Sequence, residues 1–119
     1  MSLPVPIPEG VKLPQPAGYR LLVAIRKKEE KVGSIVIPEQ FRSREESASI
    51  YGCVIAVGPL AYSDPDKFPS GPWCEEGDWV IFRAYSGTRL KIGEQEFRLI
   101  NDDTVEGTIE DPTVIERAY

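Results

Sequence analysis

Along most of the chain, apolar residues alternate with polar ones at a period of two, the repeat of a strand rather than of a helix. The alternation is clearest from Arg20 to Arg26, where Leu21, Val23 and Ile25 share one face between charged ends. The run Tyr51-Gly52-Cys53-Val54-Ile55-Ala56-Val57-Gly58 is nearly all apolar and bounded by glycine and proline, and Asp78-Trp79-Val80-Ile81-Phe82-Arg83 follows the turn signal Glu75-Glu76-Gly77. Both read as well-buried strands. Thr88 to Ile92 and Gln95 to Ile100 flank Gly93-Glu94, a pair suited to a two-residue hairpin turn, with Leu90, Ile92, Phe97 and Leu99 as core candidates. Asn101-Asp102-Asp103-Thr104 predicts one helical turn before Val105 to Ile109 resumes an extended pattern. Short strands at this spacing, with no long amphipathic helix, predict an all-β chain folded as a small antiparallel barrel. If the first and last strands are its edges, pairing the first of one subunit with the last of the next closes a ring.

Composition changes this picture mainly through its unevenness. The chain has 119 residues, the size of one domain, with 10 glycines and 11 prolines. Nine of those prolines fall in two stretches: before Gly18 (Pro4, Pro6, Pro8, Pro14, Pro16) and between Pro59 and Pro72. Proline lacks the amide donor that a helix or a central strand requires. Residues 1–17 therefore read as an extended arm or an unstructured leader, residues 18–110 as the barrel domain and residues 111–119 as a tail. The second cluster, Asp64-Pro65-Asp66-Lys67-Phe68-Pro69-Ser70-Gly71-Pro72-Trp73, has turn chemistry at nearly every position and reads as an elaborated surface loop or irregular hairpin.

A third stretch stands apart by charge. Of the 21 residues from Arg26 to Glu46, 11 are charged, nearly balanced in sign, and in their midst lies Gly33-Ser34-Ile35-Val36-Ile37-Pro38, an aliphatic triplet fenced by glycine and proline. Such charge density predicts a solvated, mobile loop. The triplet then has two readings: a short strand buried in the domain, which composition alone favours, or an exposed apolar contact awaiting a partner.

The order of these pieces resembles the co-chaperonin family, also called chaperonin-10 or GroES-type proteins. The resemblance runs from about Tyr19 to Glu110 and rests on Gly-x-Ile-Val-Ile-Pro within a charged loop, then Gly52-Cys53-Val54-Ile55-Ala56-Val57-Gly58-Pro59, then Glu76-Gly77-Asp78-Trp79-Val80-Ile81-Phe82. It implies a GroES-like antiparallel β-barrel with a mobile loop at about 27–48 and a roof hairpin at about 59–76. It further implies a homo-oligomer, a seven-membered ring that lids a GroEL-type chaperonin and closes the chamber in which transient unfolded protein clients fold with ATP. By position, Ile35, Val36 and Ile37 are the implied chaperonin contacts, Gly33 and Ser34 the bend, and Pro38 the end of the inserted segment. The chain departs from the family at Ser34, where a second glycine is usual, in its proline-rich arm and tail, and in the aromatic and proline content of the roof, where Phe68 and Trp73 read as a local hydrophobic clasp. Such additions recur in divergent relatives, phage-encoded ones included.

Other function classes are disfavoured by residue chemistry. The chain has no histidine, the commonest general base and a common zinc ligand, and two cysteines alone make neither an activated nucleophile nor a structural zinc site. No catalysis, cofactor or metal is expected, and Cys53 and Cys74 read as free thiols of a cytoplasmic protein. A net charge of −5 argues against the alternative of a small barrel that binds RNA or another polyanion. No apolar run reaches the roughly 18 residues of a membrane span, and no basic start precedes a long apolar stretch as in a secretion signal.

Overall fold

The computed structural model describes residues 10, 12–25, 31–32, 35–36, 49–93 and 95–115, with backbone alone at 31–32 and 35–36. Eight strands occur among them: β1 (Arg20–Ile25), β2 (Lys31–Val32), β3 (Ile35–Val36), β4 (Tyr51–Val57), β5 (Trp79–Ile81), β6 (Thr88–Ile92), β7 (Gln95–Asn101) and β8 (Gly107–Ile109). Short 3-10 turns cover Asp102–Thr104 and Pro112–Val114, and no α-helix occurs among the described residues. Six strands form one antiparallel sheet in the order β6-β7-β1-β4-β5-β8, while β2 and β3 pair separately. The all-β, GroES-like architecture expected from the sequence is therefore present.

The first strand is not an edge. β1 lies between β7 and β4, and the edges are β6 and β8. The alternation seen in Leu21, Val23 and Ile25 marks one of two apolar faces, since Leu22 and Ala24 are equally buried. Leu21, Val23 and Ile25 join Val54, Val80, Phe82 and Ile100 in one cluster. Leu22 and Ala24 join Cys53, Ile55 and Phe97 in a second, against which Leu90, Ile92 and Leu99 pack. A sheet whose central strand is buried on both sides cannot be half-solvated; each face must be covered by something else. The second is partly covered by Leu13, and Pro16 is buried, so these two residues of the expected arm are packed.

The register of β1 on β4 shifts between Leu22↔Ala56 and Val23↔Val54, a bulge that raises local twist and helps a small sheet curl. The glycines bounding β4 have a steric reason. A Cβ at Gly52 would sit 2.4 Å from Val23 Cγ1 and 2.8 Å from the Ala24 carbonyl, and one at Gly58 would sit 2.6 Å from the Gly18 carbonyl. The two main chains approach too closely there for any side chain.

Between β4 and β5 no strand forms; the chain runs through successive turns from Pro59 to Asp78. The roof hairpin implied by the resemblance is thus replaced by the other form expected, a surface loop. Pro59, Pro65, Pro69 and Pro72 remove donors a hairpin ladder would need.

Candidate functional site

The charged segment connects β1, which ends at Ile25, to β4, which begins at Tyr51. Within it, Lys31 pairs with Val36 and Val32 with Ile35, a two-residue antiparallel ladder apart from the barrel sheet. Of the expected contact residues, Ile35 and Val36 lie on this ladder. Gly33, Ser34, Ile37 and Pro38 fall outside the described residues.

Both roots of the segment are held by β7. The Gln95 side-chain amide donates to the Ile25 carbonyl at 2.6 Å and to the Glu96 carbonyl at 2.8 Å. Arg98 Nη1 donates to the Ser49 carbonyl at 3.2 Å, and the Phe82 amide donates to the Ile50 carbonyl at 2.8 Å. The Arg98 guanidinium is 0% exposed, lies 5.3 Å from the centroid of the Phe82 ring, and is 3.6 Å from Glu96 Oε2. Glu96 Oε1 in turn accepts from Arg89 Nε at 3.0 Å and Nη2 at 2.8 Å. Burial pushes the Arg98 pKa down, and the neighbouring Glu96 carboxylate works against that shift. Sequence reading missed this cluster, because Gln, Glu and Arg on a strand ordinarily mark its solvated face.

The other long connection closes over the first cluster. Tyr62, Phe68 and Cys74 are buried in it. Tyr62 and Phe68 meet edge to face with centroids 4.8 Å apart, and Phe68 and Trp73 do the same at 4.8 Å. Trp73 remains 46% exposed. The clasp expected of Phe68 and Trp73 is thus present, with Tyr62 as a third member that sequence reading did not single out. Its signal is conformational: Tyr62 has φ of 60°, a left-handed backbone costing roughly 1–2 kcal/mol for a non-glycine residue. What offsets that cost is Asp102, which is buried. Its carboxylate accepts the Tyr62 amide at 3.0 Å, its carbonyl accepts the Tyr62 hydroxyl at 2.9 Å, and its own amide donates to the Tyr19 carbonyl at 2.9 Å. Lys67 and Asp103 add an exposed ion pair.

With its proton committed to Asp102, the Tyr62 oxygen accepts from the Cys74 thiol 3.3 Å away. Burial is the main reason that the Tyr62 hydroxyl and the Cys74 thiol both titrate above their usual ranges. Burial, helped by the Asp78 charge, pushes Cys53 up to about 11. Neither cysteine is a thiolate near neutral pH, so neither is poised as a nucleophile. Among the described residues, no group of three or more His, Cys, Asp or Glu is placed to hold a metal ion, and no helix is long and apolar enough to cross a membrane.

Comparison with known proteins bears on what this arrangement is for. The family model described as the chaperonin 10 Kd subunit matches residues 14–109. The chain belongs to the chaperonin-10 family. The co-chaperonin GroES of Caldicellulosiruptor saccharolyticus is 35% identical over 98 residues, covering 82% of this chain and 97% of that one. The co-chaperonin GroES of Desulfotalea psychrophila is 36% identical over 97 residues, covering 81% and 97%. That of Solidesulfovibrio magneticus is 33% identical over 97 residues, covering 81% and 96%. The co-chaperonin function read from the sequence is upheld, and the alternative of a polyanion-binding barrel is not favoured.

Proposed function

We propose that this co-chaperonin assembles into a seven-membered ring in the cytoplasm and lids a GroEL-type chaperonin, enclosing unfolded clients without catalysing a reaction of its own. Contact with the chaperonin runs through Gly33 to Pro38, with Ile35, Val36 and Ile37 as the buried anchors. The observation that carries this reading is the aliphatic triplet itself. It lies inside a segment dense in charge and within the matched family span, and its first two residues belong to a ladder separate from the barrel sheet. That separation supports an apolar contact offered to a partner over a strand of the barrel.

The energetics fit a reversible lid. Burying one aliphatic side chain contributes about 1.5 to 3 kcal/mol, and ordering a segment on binding subtracts roughly 2 to 5 kcal/mol. One triplet therefore binds weakly. In a ring, each further triplet binds at raised effective concentration, so weak sites sum to tight but releasable capture when the chaperonin changes conformation. For ring closure, β8 is the better edge. Gly107-Thr108-Ile109 carries no charge, whereas β6 presents Arg89 and Lys91, which discourage strand addition.

Replacing Val36 by Asp tests this directly. The ring mass measured by light scattering should stay unchanged while nucleotide-dependent co-elution with a GroEL-type chaperonin is lost. Retained co-elution, or a stable monomer for the unaltered chain at micromolar concentration, would overturn the proposal.

A further inference from the structure

We propose that Gln95 and Arg98 are positioning residues for chaperonin binding: from one strand they clamp both roots of the 26–48 segment, and so set how much chain must be ordered when it binds. The inference rests on reading that segment as the binding loop.

The last register pair of β1 with β7 is Ala24↔Phe97, and the next carbonyl, that of Ile25, is taken by the side chain of Gln95. Both protons of a carboxamide nitrogen are needed for the two bonds that this group makes, to Ile25 and to Glu96, so its orientation is determined. At the other root, the β4–β5 ladder begins at Tyr51↔Ile81. Preceding it, the Ile50 carbonyl is held by the Phe82 amide and the Ser49 carbonyl by Arg98. At Ser49, then, a β7 side chain extends hydrogen bonding past the last paired residue, and at Ile25, which β4 still pairs through Gly52, a β7 side chain takes over on the edge where the β1–β7 ladder has ended. The two carbonyls are 24 positions apart in sequence, yet the side chains holding them are three apart on β7.

Arg98 sharpens the point. It shares a cluster-one face with Ile100 and is wholly buried, a place where an apolar residue of similar volume would avoid the desolvation of a guanidinium. Glu96, itself oriented by Arg89, and the Phe82 ring compensate that charge. What the charge does there, and a leucine or methionine could not, is hold a main-chain carbonyl at the root of the segment. A root held firm shortens the stretch that loses conformational freedom on binding, while a frayed root lengthens it.

The test uses the assembled ring with Gln95→Met, which keeps length and removes the donor, and Arg98→Met, which keeps an unbranched apolar stem and removes the guanidinium. Each should keep the ring mass. Amide exchange should accelerate in peptides spanning 23–28 and 47–52, with protection in Val54–Val57 and 98–100 retained. Affinity for a GroEL-type chaperonin in the presence of nucleotide should weaken on the order of tenfold for each residue released from a root. Unchanged exchange and affinity in Gln95→Met would overturn the clamp, as would faster exchange spread evenly through β1, β4 and β7. If Arg98→Met does not assemble, Gln95→Met decides alone. Val36→Asp in parallel separates the two ideas: its loss of binding beside an unaffected Gln95→Met rejects the clamp only, whereas retained binding by Val36→Asp rejects the loop reading beneath it.

Discussion

The connection between β4 and β5 sets Tyr62, Phe68 and Cys74 into the first cluster, whereas the connection between β1 and β4 carries a charge at 11 of the 21 residues from Arg26 to Glu46. Their compositions explain the contrast. From Leu60 to Cys74 the chain carries Tyr62, Phe68, Trp73 and Cys74, enough apolar surface to bury against the first cluster, and prolines that limit the conformations lost on doing so. From Arg26 to Glu46, charge replaces that surface, and the aliphatic triplet, with Val32 and Phe41, is the apolar content that remains. A proline-rich stretch and a charge-rich stretch both read as loops, yet the first places three side chains in the core, and the second, on the function proposed above, meets a partner. Apolar content, rather than lack of regular structure, separates them.

The sharpest way to break this comparison is Phe68→Ala. Removing a buried ring at the centre of the clasp should cost about 3–5 kcal/mol in urea denaturation, with the β4–β5 connection and barrel unfolding together. The opposite substitution, Val36→Asp, should leave the urea midpoint unchanged while chaperonin binding is lost. A small effect for Phe68→Ala would mean that this connection is as detachable as the charged one.

Asp102→Ala should have the next largest effect, about 1.5–3 kcal/mol, because it leaves the Tyr62 amide without its charged acceptor. Asp102→Asn, which keeps an acceptor oxygen, should lose less. Equal losses would show that the carboxylate is not what holds Tyr62 in its left-handed conformation.

The smallest effect is read from the thiols. Cys74 reports on the β4–β5 connection and Cys53 on the barrel. If both belong to one cooperative unit, both should be alkylated at the same slow rate at pH 8, set by global opening. Faster reaction at Cys74 would show the connection opening by itself. Alkaline pH adds a signed test for Cys53. Its folded pKa, about 11, lies above the 9.0 of a free thiol, so its contribution is full below pH 9 and is lost as pH rises toward 11. Stability should fall across that window, and Cys53→Ala should flatten the fall; a fall of the same steepness in Cys53→Ala would assign it to other groups.

Much of this was legible in the residues. The period-two alternation marked β1, the glycine-bounded run marked β4, and the Gly93-Glu94 signal falls between β6 and β7, whose pairing closes at Ile92↔Gln95. The helical turn after Asn101 appears as a 3-10 turn, Asp102–Thr104. These are local patterns, and local sterics and burial suffice to write them into a sequence. The central position of β1, the hub formed by Tyr62 and Asp102, and the β7 side chains at Ile25 and Ser49 were not legible. Each joins residues distant in the chain, and the last two use polar residue types whose ordinary place is the surface.

By itself, then, the sequence determined an all-β chain, the strands that compose it, and an aliphatic triplet set in charge, because hydrophobic period and turn chemistry act over a few residues. Tertiary packing settled that the first strand is central, that Tyr62, Phe68 and Cys74 of a proline-rich surface loop join the core, and that Gln95 and Arg98 bond the carbonyls of Ile25 and Ser49. Those outcomes depend on which strands lie side by side, and non-local pairing decides that together with the buried polar groups it obliges to find partners.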